Sequence, residues 1–272
     1  AILWGIHSIG LAKEARFSTR LVQRLCARLS WWVPHRILCV ATASKTAHAA
    51  VGYDARRMVI QPNGYDFARM APSEDARARL RSAWKIPPGA RVVGTVGRFC
   101  EEKDYPTFIR ATARIATGDL ALRILLVGRG LDSGNPALAR AIEETGHGAQ
   151  YILAGERGDI PDCLAAMDVF GLSSRMEAFP NVLVEAMAAG LPCVSTDVGD
   201  AAIILREAGV LVGKEDAPAF AEGLRGLLER SEAELAAIGS RARAQVTSDF
   251  SIQKGLEAMR CLYLEMLKRD KS

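Results

Sequence analysis

From residue 92 onward the chain carries short, unbroken apolar blocks, VVGTV, LRILLV, QYILA, DVFGL, PCVST and VLVG, each separated from the next by room for a helix. Blocks without polar alternation suit strands covered on both faces. Strands alternating with helices favour parallel neighbours, because a parallel connection must cross back over the sheet. The expected fold class is therefore α/β, a doubly wound parallel sheet, with helices over 104–117, 136–145, near 160–167 and after 180. In such a sheet ligands bind beyond the carboxyl ends of the strands, so the loops after these blocks are where chemistry is to be sought.

The front of the chain is less regular. AILWGIHSIG reads as a short buried strand entered part-way through a fold, so a preceding N-terminal portion is expected. RILCVA (36–41) is a strand pattern, SKTAHAAVG a short helix, and RMVIQPNGYD a strand followed by a strong turn at Pro62-Asn63-Gly64, a candidate domain crossing. Residues 215–250 read as two helices, and SIQKGLEAMRCLYLEMLKRDKS as a last amphipathic helix with a charged, frayed tail.

Net charge is only +4, but residues 1–72 hold ten Lys or Arg against three Asp or Glu. Arg16, Arg20, Arg24 and Arg28 recur every four residues, Leu21, Leu25 and Leu29 recur on another face, and Trp31-Trp32 follow. This predicts a basic amphipathic helix with an aromatic end. It reads either as contact with an anionic membrane surface or as one solvated and one packed face. Nucleic acid fits less well, since the aromatics are not interleaved with the basic residues.

The six cysteines form no CxxC pair and the four histidines no HExxH, so reduced thiols in a cytoplasmic compartment are expected and no metal site. No apolar run reaches the roughly 18 to 20 residues of a membrane span, and the N-terminus lacks a signal-peptide layout.

Three constellations remain. VGRFCEEKDYPTFI sets Gly97-Arg98 at a strand end and Lys103 before the next helix. Two cations and free N–H groups at a helix start suit an anion, each charge-assisted hydrogen bond contributing about 1.5–3 kcal/mol; alternatively the cations pair with Glu101 and Glu102. LLVGRGLDSG holds Gly128-x-Gly130, which lacks the third glycine of a dinucleotide fingerprint and reads as a tight turn beside a ligand. RMEAFPNVLVEAMAAGLP places Glu177 before a helix start near Asn181 and Glu185 within its second turn. Free N–H groups at Val182 and Leu183 would favour a phosphate by about 0.3–1 kcal/mol. The two carboxylates then hold hydroxyls at the two ends of one ligand. A glycosidase pair is the rival, and would leave Arg98 and Lys103 unexplained; simple capping or solvation of the helix is the third reading.

In order and spacing, VGRFCEEKDYPTFIRA, LRILLVGRG, ILAGERGDIPDCLAAMDVFGLSS, EAFPNVLVEAMAAGLPCVSTDVGD and GVLVG resemble the C-terminal domain of family 4 retaining glycosyltransferases of GT-B fold, over residues 57 to 260. The resemblance implies two Rossmann-like domains facing across a cleft. Residues 1–62 would be the remaining part of the N-terminal acceptor-side domain, 63–250 the nucleotide-sugar-binding domain, and 251–272 a crossing helix, poorly anchored without a full partner. It further implies that Arg98 and Lys103, with Gly97, grip the donor diphosphate. Asn181 and Val182 would offer backbone N–H groups, Glu177 would bind donor-sugar hydroxyls and Glu185 the ribose. Arg157, in the Gly155–Arg157 loop, would lie near the base, and His7 near the reaction centre. No cofactor or metal is implied; the donor is a nucleotide diphosphate sugar and the acceptor a glycan or lipid-linked saccharide. Ala178-Phe179-Pro180-Asn181 departs from the family's more common Gly-Phe-Gly and leaves the sugar open. Two activities are compatible with this: retaining transfer of a sugar to an acceptor hydroxyl in surface polysaccharide or glycolipid assembly, or donor binding alone by a chain that needs its missing half or a partner.

Overall fold

The computed structural model describes residues 1–10, 16–71, 73–118 and 120–269. The first part contains β1 (Leu3–Ile6), α1 (Phe17–Leu29), β2 (Arg36–Cys39), α2 (Thr42–Ala50) and β3 (Met58–Ile60), followed by α3 (Glu74–Ala83). Then come β4 (Val92–Val96), α4 (Tyr105–Ala116), β5 (Arg123–Val127), α5 (Pro136–Glu143), β6 (Tyr151–Gly155), α6 (Ile160–Ala165), β7 (Val169–Leu172), α7 (Asn181–Ala188), β8 (Cys193–Thr196), α8 (Ala201–Leu205) and β9 (Gly209–Val212). Three helices close the chain, α9 (Ala217–Leu228), α10 (Glu232–Phe250) and α11 (Ile252–Arg269).

The apolar blocks form one six-stranded parallel sheet in the order β6-β5-β4-β7-β8-β9, and β1-β2-β3 form a second, three-stranded parallel sheet. β4, β7 and β8 are buried at every position, as strands covered on both faces require. One core cluster joins Leu125 and Phe170 to α7, α8 and α10, and the other joins Val93 and Ile124 to Phe108 of α4 and Phe220 of α9. The α/β, doubly wound reading holds strand by strand.

Helix starts follow local chemistry. Asn135 accepts from the Ala137 and Leu138 N–H groups with Pro136 opening α5, Asp216 accepts from Ala219 before α9, and Ser231 and Glu234 form a reciprocal capping box on α10.

Three expectations change. β1 is not buried: it is an edge strand, with Trp4 and Ile6 half-exposed and Gly5 exposed. α1 is helical and basic, but its apolar stripe is not packed; Ala27 is its one buried residue, while Phe17 is 79% and Trp32 beyond its end 75% exposed. Periodicity defines a face without supplying a neighbour for it. The expected poor anchoring of α11 holds only in part: Leu262 and Met266 are buried and Glu265 pairs with Arg36 of β2, while Leu256, Tyr263, Leu264 and Leu267 are exposed. The tail expected to fray, residues 270–272, lies outside the described residues.

The chain passes between the sheets at residues 61–65 and again at 250–252, and these segments lie side by side. The Tyr65 N–H donates to the Phe250 carbonyl and the Ile252 N–H to the Tyr65 carbonyl, both at 2.9 Å. A Cβ on Gly64 would sit 3.0 Å from the Ile252 Cα. None of the described helices is long and apolar enough to cross a membrane.

Candidate active site

β4 is hydrogen-bonded to β5 on one side and β7 on the other, and the connections from β4 and from β7 leave toward opposite halves of the sheet. Such a switch in strand order opens a crevice at the carboxyl ends. Glycines permit a close approach there: Gly128, at φ 141°, sits where a Cβ would come 2.0 Å from the Gly97 carbonyl oxygen, and a Cβ on Gly97 would meet the Tyr105 hydroxyl at 3.1 Å. The glycine pair expected to form a tight turn does so.

The loops after β4 and β7 are stitched together across this crevice. Ser173 Oγ donates to the carbonyls of Lys103 and Asp104 at 3.0 and 3.1 Å, and the Arg175 N–H donates to the Glu102 carbonyl at 2.7 Å. Asp104 stands in the left-handed region (φ 48°, ψ 52°), turning the chain into α4; its carboxylate accepts from the Thr107 N–H and pairs with Arg175 at 3.1 Å. The result is a fixed platform for Lys103.

Lys103 Nζ lies 2.5 Å from Glu177 Oε1, which also accepts from Ser174 Oγ at 2.8 Å. The side chains are 20% and 15% exposed. Pairing with Glu101 or Glu102, one reading of the sequence, is replaced by this longer-range pair; Glu101 faces Arg175 instead. Arg98 is exposed, and its charge helps hold the Glu102 carboxyl below its ordinary range, after the larger effects of hydrogen bonds from the Glu102 backbone and Cys100.

At the start of α7 the preceding residue is Pro180, which provides no side-chain cap. The Leu183 N–H, expected to be free, donates to the Pro180 carbonyl at 3.0 Å because the first turn closes on itself. Among the described residues nothing accepts from the Asn181 or Val182 N–H, so these two are the unclaimed amides of the helix start. The Asn181 side chain is engaged: its Oδ1 accepts from Asn63 Nδ2 at 2.7 Å and from the Tyr65 hydroxyl. The sequence marked Asn63 as a turn residue alone, and nothing local in it connects positions 63 and 65 to 181.

Glu185 is half-buried beside a small cavity, about 140 Å³, lined also by Met70, Ile160, Pro161, Leu164 and Ala189. Burial pushes its carboxyl above the ordinary range, and the charge of Lys103 partly offsets this. Lys103 therefore acts electrostatically on both glutamates. The Tyr65 hydroxyl, buried and facing Glu185, and the Tyr105 hydroxyl, buried with Cys100 and Glu177 nearby, are both held well above their usual values.

Two candidate residues stand apart from this cluster. Arg157 is clamped by Asp159 through Nε at 2.8 Å and Nη2 at 2.6 Å, and its guanidinium lies 5.8 Å from the Trp84 ring. His7 is exposed at the end of β1, in a groove of about 270 Å³ shared with Gln61, Asn63, Gly64 and Met259. Through Asn63 that groove adjoins the start of α7. One contributor that sequence reasoning missed is Gly199, at φ 54°, where a Cβ would come 2.4 Å from the Glu177 carbonyl oxygen. The backbone bearing Glu177 can run where it does only with glycine opposite.

Among known proteins, the D-inositol 3-phosphate glycosyltransferase of Corynebacterium urealyticum is 31% identical over 213 residues, 74% of this chain and 50% of that protein. The Escherichia coli UDP-Gal:alpha-D-GlcNAc-diphosphoundecaprenol alpha-1,3-galactosyltransferase is 24% identical over 267 residues, 96% of this chain and 68% of that protein. The crystal structure of Anabaena HepE in complex with UDP-glucose superposes with a TM-score of 0.83 at 25% identity, covering 95% of this chain and 72% of that one. The chain thus spans half the length of the Corynebacterium protein, and its fold is that of GT-B glycosyltransferases. The family model described as glycosyl transferases group 1 matches residues 90–230, just over half of the chain and the whole of the crevice-bearing sheet, and the chain belongs to that family.

Proposed function

We propose that this chain is the nucleotide-sugar-binding part of a retaining glycosyltransferase that moves a hexosyl group to an acceptor hydroxyl in surface polysaccharide or glycolipid assembly. The observation that carries this reading is Lys103, held on Glu177 beside the unclaimed N–H groups of Asn181 and Val182 and within electrostatic reach of Glu185. A donor diphosphate fits between the carboxylates. Lys103 and Arg98 meet its charge from one loop and the α7 start from the other, without a metal, while Glu177 takes sugar hydroxyls and Glu185 the ribose.

As the bond from the anomeric carbon to the phosphate oxygen breaks, these donors stabilise the departing diphosphate. The acceptor oxygen attacks from the same face, and its proton passes to the leaving phosphate oxygen. His7, across the groove from α11, is assigned to the acceptor side of this centre. Residues 1–62 form the acceptor-side part, 63–250 the donor domain and 251–272 the returning helix. The UDP-glucose complex of HepE and the lipid-linked acceptor in the name of the Escherichia coli relative support a nucleotide donor and a lipid-linked or glycan acceptor. Six free thiols suit a cytoplasmic setting. The exposed arginines and leucines of α1, with Trp31 and Trp32, suit peripheral contact with an anionic membrane, which cosedimentation with phosphatidylglycerol vesicles tests.

Calorimetry with UDP-glucose and GDP-mannose, paired with a transfer assay on the same chain, tests the main reading. Saturable binding that is lost in Lys103→Ala supports it, and no binding of any nucleotide sugar rejects it. The 50% coverage of the Corynebacterium protein favours a second reading, in which this chain binds donor but turns it over only with a further segment or partner. Binding without transfer selects that reading; transfer by this chain alone eliminates it.

A further inference from the structure

α2 follows Ala41, which offers no side chain to the helix's first turn. Its leading amides are claimed from 158 and 157 positions away. Asp200 Oδ2 accepts from the Thr42 N–H at 2.7 Å, and Oδ1 from the Ala43 N–H at 2.9 Å. Asp200 is the residue that precedes α8, yet its side chain caps nothing in α8; it is 4% exposed and committed to a helix of the other sheet.

Its main chain is committed elsewhere. The Asp200 N–H donates to the Ala178 carbonyl at 3.0 Å, and its carbonyl accepts from the Ile204 N–H at 3.0 Å. Gly199 presses on the same segment, where a Cβ would come 2.3 Å from the Ala178 oxygen. Two consecutive residues therefore hold α2 through a carboxylate and the Glu177–Ala178 backbone through main-chain contacts. Val40 and Ala41, leading into α2, belong to the same buried cluster as Val198 and Ala201, so the junction is also closed by apolar packing.

We propose that Asp200 is a positioning residue, a clasp that fastens the three-stranded sheet beside the donor crevice and fixes the backbone carrying Glu177. A carboxylate at a helix start gains from two charge-assisted hydrogen bonds and from the helix dipole. If the sheets part, a covered carboxylate and two amides lose their partners together. Closure and the placement of Glu177 thus become one event. The inference rests on reading Glu177 and Lys103 as donor contacts.

The test reads backbone amide exchange in the unliganded chain, then UDP-glucose affinity by calorimetry. Asp200→Ala should accelerate exchange about tenfold or more at residues 42–45 and also at Arg175, Met176 and Leu183, the hydrogen-bonded amides that flank the Glu177–Pro180 segment. Asp200→Asn, with one accepting oxygen, should fall between it and wild type. Thr42→Pro removes one donor from the opposite side with a residue that the first helical position favours. It follows an extended Ala41 (φ −147°, ψ 155°), the conformation that suits a residue before proline. It should therefore transmit faster exchange to Arg175, Met176 and Leu183 with residue 200 untouched, and UDP-glucose affinity should fall about tenfold in Asp200→Ala and Thr42→Pro alike. Faster exchange confined to 197–206, or a Thr42→Pro variant silent at Arg175, Met176 and Leu183, overturns the clasp. Exchange is measured without nucleotide, so a wild-type chain that ignores UDP-glucose overturns the donor reading and leaves the clasp test intact.

Discussion

Lys103→Ala removes an ammonium that lies 2.5 Å from Glu177 Oε1 and leaves that carboxylate with Ser174 Oγ as its remaining side-chain donor. Exposed ion pairs contribute at most about 1 kcal/mol, and breaking a buried one costs about 3–5 kcal/mol. With side chains 20% and 15% exposed this pair lies between the two, so urea unfolding should show a loss of about 2 kcal/mol. The double variant Lys103→Ala/Glu177→Gln removes both charges and should recover most of that stability. Nucleotide affinity should not recover. A charge-assisted hydrogen bond to phosphate contributes about 1.5–3 kcal/mol, so the Kd for UDP measured by calorimetry should rise about 10- to 150-fold in both variants. Stability and binding therefore move in different directions across the pair. If the single variant binds UDP within about twofold of wild type, or the double variant regains affinity along with stability, Lys103 is a structural counter-ion to Glu177 and the assignment fails.

Gly199→Ala should cost about 2–5 kcal/mol, combining a left-handed backbone with a Cβ driven to 2.3 Å of the Ala178 oxygen, and should weaken UDP-glucose binding by shifting Glu177; unfolding at the wild-type urea midpoint would contradict it. Asp104→Ala loses the Arg175 pair and the α4 cap while keeping the strained turn, so it should destabilise by about 2 kcal/mol, and Asp104→Gly should be milder by about 1 kcal/mol because glycine adopts φ 48° without penalty. For Glu185, burial raises the folded-state pKa above the ordinary 4.5, so its contribution to stability is complete below the unfolded value and is lost as pH rises through the folded one. Glu185→Gln should accordingly gain on wild type as pH increases across that window, and a pH-independent difference between the two would remove burial as the cause.

The six-stranded sheet was legible because its signal is local: VVGTV and DVFGL are too continuous to be anything but strands covered twice, and the loops that follow them carry Lys103 and Glu177 to the strand ends. The family resemblance implied that both touch one donor but not that they pair with each other across 74 positions, and the residues alone left Lys103 free to pair with Glu101 or Glu102. What stayed hidden depends on one residue meeting a distant one. Asn181 looked like a helix start and is also where Asn63 and Tyr65 tie the crossing down. Asp200 drew no notice in the sequence; it stands just before its own helix and serves another. Leu183 looked free because a helix leaves its first amides unpaired, but the Pro180 carbonyl folds back within reach. In α1 the leucine spacing correctly foretold one apolar face, and no pattern within thirteen residues can say what, if anything, covers it.

The two passages between the sheets are bonded to each other through Tyr65, Phe250 and Ile252, with Gly64 and Gly255 facing across the seam. Where the chain itself crosses, the molecule is bound like a book, with a spine only as thick as two backbones and Asp200 as a separate fastening. A methyl group at Gly64 would press on the Ile252 Cα at 3.0 Å, so the binding would have to give by a few tenths of an ångström at the one place where both passages lie side by side.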